Sequence, residues 1–294
     1  MKQVIIPALA GLVLACAQLP ANAQEFKEHV SKEFTVSKAT TSALAIYNIN
    51  GFINVEGYSG DKVVLEIDKS ITAKNNQDLE TGKKEFQLLF DQQGDSIVAY
   101  IAEPFDSRPR RNRKGNNRTT DHWNNDRDVD YDFTLNFTVK VPNRMNLIVS
   151  TVNRGNVIVK HVDGTLRARN VNGAITLTNV RGTTDAHTIN GNLDVDYVAN
   201  PPENSSYYTL NGDIHASYPA NFAGDLQFKT FQGKFFTDFP NTEILPVQAI
   251  KTTQKTGDAT VYKLNKNTAI RIGNGGKTFR FETFNGSIYI KKQS

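Results

Sequence analysis

Three carboxylates invite a chemical reading. Asp194 and Asp196, in Leu-Asp-Val-Asp-Tyr, fall two residues apart, which puts both on one face of a β-strand, and Asp185 lies nine residues before Asp194. Paired carboxylates on an extended β face can serve as general acid and base in cleaving a polysaccharide. The same positions are the outward half of an alternating strand, which is polar whatever its role. Catalysis by these three is kept as the alternative, and no catalytic residue is assigned. His161, His187 and His215 fall at different places after their glycines, so they do not line up as ligands; no metal and no cofactor is expected.

A second chemistry lies between Pro104 and Asp132. Arg108, Arg110, Arg111, Arg113, Lys114 and Arg118 supply six cations, and five aspartates follow from Asp121 to Asp132. With so few aliphatic side chains the segment cannot pack a core, and it reads as a polar, flexible insertion at about 104–130. Its cations suit an anionic polymer or phosphate, and Trp123 offers a stacking surface. The plainer reading is a solvated insertion whose two halves neutralise each other. Further on, Tyr207 and Tyr208 alternate faces; one of them points outward, and Tyr207 joins the candidate ligand contacts.

What positions these residues is a glycine beat. From Gly155 the chain reads GNVIVKHVD, GTLRARNVN, GAITLTNVR, GTTDAHTIN and GNLDVDYVA. The second and fourth residues after each glycine are mostly apolar, which is a strand with one buried face. The seventh (Val162, Val171, Val180, Ile189, Val198) breaks the alternation and is expected to point inward at a corner. Glycine is expected there for its unusual backbone angles.

The units alternate in kind. One class ends in Asn-Gly (Asn172-Gly173, Asn190-Gly191, Asn211-Gly212), the other in Val162-Asp163-Gly164 or Val180-Arg181-Gly182. The repeat is therefore 18 residues with two unlike halves, which places each Asn-Gly over the next. A parallel β-solenoid of roughly 18–21-residue coils explains that recurrence; an antiparallel β-sandwich is the alternative. The 21-residue steps Gly191–Gly212–Gly233 read as successive looser coils. Asn48-Ile49-Asn50-Gly51 and Thr283-Phe284-Asn285-Gly286 repeat the corner at the two ends. Phe26, Phe34, Phe279, Phe281 and Phe284 are candidates to cover the end coils, and no helical period is visible after the leader.

The first 23 residues read as a secretory signal peptide: a lysine, the apolar run Val4–Leu19, and Ala21-Asn22-Ala23. Cleavage would leave 24–294 as a single domain without cysteine, since Cys16 is the only one; a lipid anchor on Cys16 is the lesser alternative. A net charge of +4 over 294 residues excludes a broadly nucleic-acid-binding surface.

The segment "FTVKVPNRMNLIVSTVNRGNVIV" (Phe137–Val159), followed by tandem V-x-G and N-G units, resembles the bacterial cell-envelope family known as "putative adhesin", a domain of unknown function. Val139-Lys140-Val141-Pro142-Asn143-Arg144 and Val152-Asn153-Arg154-Gly155 carry the likeness, with Arg154 departing from the usual Asn-Gly. The resemblance implies a β-solenoid, export to the periplasm or cell surface, and an adhesive or structural role. The expectation is a non-enzymatic envelope protein whose partner is a cell-wall or surface polysaccharide or another envelope protein. A carbohydrate-active β-helix enzyme and a protein-binding envelope-stress component stay open as alternatives.

Overall fold

The structure is a computed structural model and describes residues 24–109, 128–240, 242–246, 249–256, 259–266 and 268–293. The expected leader and the centre of the expected insertion, including Arg110, Arg111, Arg113, Lys114, Arg118 and Trp123, lie outside the described residues.

The chain opens with β1 (Gln24–Thr35), β2 (Ala43–Tyr47), β3 (Ile53–Tyr58) and β4 (Lys62–Ala73), then helix α1 (Asn76–Glu85). Next come β5 (Gln87–Gln93), β6 (Ser96–Glu103) and β7 (Tyr131–Pro142). The repeat contributes β8 (Asn146–Ser150), β9 (Val157–Lys160), β10 (Leu166–Arg169), β11 (Ile175–Val180), β12 (Thr184–Asn190), β13 (Leu193–Tyr197), β14 (Ser205–Asn211) and β15 (Ile214–Tyr218). The last part holds β16 (Gly224–Gln232), β17 (Phe235–Thr237), β18 (Thr242–Leu245), β19 (Ala249–Thr256), β20 (Ala259–Lys266), β21 (Thr268–Ile272), β22 (Thr278–Asn285) and β23 (Ile288–Lys292).

Among the described residues the protein is all-β with one α-helix, packed against β1, β4 and β7. A first sheet runs β1-β4-β7-β3-β9-β11-β13-β15-β23-β17 and a second runs β18-β21-β16-β22-β14-β12-β10-β8-β2-β6-β5, while β19 and β20 form a separate hairpin. The two large sheets are of mixed pairing and enclose one continuous apolar core. Their middles are parallel: Leu147, Leu166 and Thr184 are register partners in one sheet, and Val157, Ile175 and Leu193 in the other. Residues 18 or 19 apart thus lie side by side, and on the next rung residues 21 apart do, as Leu193 and Ile214. Antiparallel strands (β1, β4, β5, β18, β21) flank the parallel rungs.

The rungs are not stacked in chain order. The β2–β3 rung lies between β6–β7 and β8–β9. At the other end, β22–β23 lies between β14–β15 and β16–β17. This corrects the expected direct step from Gly212 to Gly233, because Gly286 comes between them. A parallel edge offers the same hydrogen-bond template to any segment with matching alternation, so the terminal Thr-Phe-Asn-Gly unit fills a gap that the chain first passed over. Phe279 and Phe281 are consequently interior to the stack rather than end covers, and Phe284 is exposed. Phe26 and Phe34 are partly buried against the core, on flanking β1.

Further corrections concern local reading. The alternation runs unbroken into each Asn-Gly corner, so Asn170 and Thr188 point inward while Val171 and Ile189 point out. Val198 also lies outside; only Val162 and Val180, at the other corner, are buried. The expected unusual backbone angles occur at Gly51 (φ 116°) and Gly212 (φ 157°), but the demand that the corner glycines share is close approach. A Cβ on Gly173, Gly191 or Gly286 would overlap the carbonyl oxygen of the glycine one rung away, and none of the three has positive φ. Helix α1 was hidden because its inner stripe is Leu79 and Gly82 alone, with Gly82 lying against the Tyr131 ring. Asn75 caps it, accepting from the Asp78 amide at 2.9 Å.

Candidate functional site

The outer face of the second sheet collects charge. Across β8, β10, β12, β14 and β22, register sets Ile148, Arg167, Asp185, Ser206 and Arg280 in one row, with Ser150, Arg169, His187, Tyr208 and Glu282 beside it. Asp185 accepts from Arg169 at 2.5 Å and Ser206 at 3.2 Å, and lies 3.2 Å from His187 Nε2 and 3.4 Å from Arg167. Its partial burial would raise its pKa, but the hydrogen bonds and charges of His187 and Arg169 outweigh that and hold the carboxyl far below the usual carboxylate range. A carboxylate so held does not deliver a proton near neutral pH. Beside it, a shallow cleft of about 350 Å³ is lined by Ala43, Asn146, Ile148, Thr165, Arg167 and Thr183. Arg108, where the cationic segment begins, stacks 4.0 Å over Tyr100 and is tied to Asp106 at 2.8 Å.

The outer face of the first sheet carries a different row. Asp194, His215, Tyr289 and Phe236 are successive register partners on β13, β15, β23 and β17. His215 Nδ1 lies 2.7 Å from Asp194, His215 stacks on Tyr289 at 4.9 Å, and Tyr289 stacks on Phe236 at 4.9 Å. Asp196 shares this face. Asp185 does not: it belongs to the other sheet, so the three aspartates of the catalytic alternative never converge. One corner separates β12 from β13, and the chain changes sheets there.

Tyr207 is corrected as a ligand contact. It is 1 % exposed, and Tyr208 is the outward member of the pair. Its hydroxyl lies 2.7 Å from that of Tyr197 and accepts from Tyr218 at 3.3 Å, while Tyr197 donates to Thr184 at 2.6 Å. Thr184, the one polar residue at an expected inward position, is there to end this chain of buried hydroxyls.

The Asn-Gly corner, expected from the sequence to stack rung on rung but not counted there as a site, is the third surface. Asn172 donates to Asn153, Asn190 to Asn172, Asn211 to Asn190 and Asn285 to Asn211, each at 2.7 Å. Beneath them, Thr188, Thr209, Thr283 and Thr230 each donate to the glycine carbonyl of a neighbouring rung at 2.7–3.0 Å. Next to the amide row runs an outward apolar row: Ile49, Val152, Val171, Ile189, Leu210, Phe284 and Phe231. Its most exposed members are Ile189 (39 %), Phe284 (44 %) and, on the last rung, Phe231 (72 %), which stacks on Phe284 at 4.7 Å. The rung made by β6 and β7 has the cation-rich insertion in place of this corner. The signal available in the sequence was the Asn or Thr two residues before each corner amide, which takes the inward place and forces the next residue out.

These features define an all-β protein whose outer surfaces repeat rung by rung. No protein-family model matches the chain, and no curated protein does. Among solved structures, the chain is similar to a "putative cell adhesion protein" from Clostridium sporogenes, with 12 % identity and a TM-score of 0.40 over 91 % of this chain and all of that one. It is also similar to a "putative adhesin" from Bacteroides fragilis, with 8 % identity and a TM-score of 0.34 over 90 % of this chain and 97 % of that one. A "putative lipid binding protein" from Parabacteroides distasonis matches at 10 % identity and a TM-score of 0.24, over 90 % and 97 %. All three likenesses are too remote to carry a functional argument. No helix among the described residues is long and apolar enough to cross a membrane.

Proposed function

We propose that the chain is exported by a leader ending at Ala23 and acts, without catalysis, as a surface-binding module of the cell envelope. In this reading its parallel rungs make it a β-solenoid of the adhesin-like family that Phe137–Val159 resembles. The observation that carries the proposal is the division of the aspartates between opposite faces. Asp185 is locked by Arg169 and His187 on one sheet, and Asp194 by His215 on the other. What remains is a long surface of repeated, shallow chemistry, suited to a partner that repeats as well.

The test incubates the purified chain with isolated cell envelopes and with a polysaccharide panel. Saturable sedimentation with envelopes and no release of reducing sugar is the expected result. Product release that disappears in Asp194→Asn would overturn the non-enzymatic reading, and absence of envelope binding would overturn the surface-binding one.

A further inference from the structure

We propose that the Asn-Gly corner is the binding strip, and that its ligand is an uncharged glycan chain lying lengthwise across the rungs. This inference rests on the surface-binding reading and names the partner's chemistry.

Core packing accounts for Ile49 at one end of the apolar row, which packs against the core, but not for the other end. Ile189, Leu210, Phe284 and Phe231 stand outside the core, while Thr188, Thr209 and Thr283, the residues before the first three, fill the inward places. Seven rungs in a row nonetheless keep an apolar side chain there, over about 29 Å at a strand spacing of roughly 4.8 Å. The next residue is an amide on every rung: Asn in six and Gln232 on the last. Each ladder asparagine between its neighbours spends one N–H and one lone pair on the ladder. A second N–H and a second lone pair remain for a ligand.

A sugar ring has an apolar C–H face and a polar hydroxyl edge, which is what an apolar row beside an amide row complements. Neither row contains a charged side chain, so an anionic polymer finds no counter-ion in it. A lipid surface would leave the second N–H and lone pair of each ladder amide facing hydrocarbon. A repeating polymer meets the same pair of rows at every step. At the last rung one face of Phe231 rests on Phe284, and the ring's large exposure leaves room for a sugar ring on the other.

The experiment is affinity electrophoresis of the full chain through gels containing a soluble β-glucan, a β-mannan or an acidic polysaccharide, at low salt and at about 0.5 M salt. The neutral glycans should retard the chain equally at both salt levels. The double variant Ile189→Asp/Leu210→Asp should lose at least tenfold in apparent affinity, and Phe231→Ala severalfold. Thermal melts report folding, and if the double variant fails to fold, Phe231→Ala decides, because that ring lies outside the core. Envelope binding without retardation by a neutral glycan sinks the strip and leaves the surface-binding reading standing. Retardation that both variants retain, binding confined to acidic polymer or anionic vesicles, or a dimer that the double variant dissociates would each overturn the proposal.

Discussion

The Asn285 side-chain amide donates to Asn211 Oδ1 at 2.7 Å across 74 residues of sequence. That bond marks a rung inserted late into a place that the chain had already passed. Among the described strands, β16 and β17 pair with the parallel stack through β22 and β23 alone, and β21 and β18 follow β16.

A chain ending after Gly275 should therefore lose more than its last rung. Amides of β16 and β17 are expected to exchange freely with solvent, while those of β9 to β13 stay protected. Hydrogen exchange read by mass spectrometry distinguishes this from simple fraying, in which β16 keeps its protection through β21.

Gly286→Ala should destabilise by about 3 kcal/mol or more, because its Cβ would overlap the Gly212 carbonyl oxygen and neither backbone can yield. Gly94→Ala meets nothing and suffers only its positive φ of 58°, a cost of about 1–2 kcal/mol. Denaturant unfolding of the two variants checks the order; equal losses would contradict the close-approach account of the corner glycines.

Tyr207→Phe should cost about 1–3 kcal/mol, since the buried Tyr218 hydroxyl loses its acceptor. Envelope or glycan binding should be unchanged, as the side chain lies inside. Burial pushes the Tyr197, Tyr207 and Tyr218 phenols above their ordinary range. Spectrophotometric titration should accordingly show three tyrosines that ionise only as the chain unfolds.

Asp185 has a depressed folded pKa, so its contribution to stability is complete above the unfolded value of about 4 and falls away as pH drops below it. Asp185→Asn should flatten the fall in stability between roughly pH 4 and pH 2 and leave the pH 6–8 region parallel to the wild-type curve. Urea melts across that range measure the slopes.

The sequence by itself determined what is periodic: strands of alternating burial, glycine corners, and side-chain amides in register every 18 or 21 residues. These follow from local spacing, because β alternation and a tight corner impose their demands within nine residues. Only the tertiary structure decided which rung lies next to which, because parallel pairing is non-local and any unit with the right alternation can enter an open rung. It also decided which face each side chain occupies. Asp185 and Asp194, one corner apart in sequence, end on opposite sides of the protein, Tyr207 turns in where Tyr208 turns out, and Val171 and Ile189 lie outside. A single inward Asn or Thr before each corner sets that parity, and its hydrogen bond to a glycine carbonyl on the neighbouring rung exists only once the rungs are stacked.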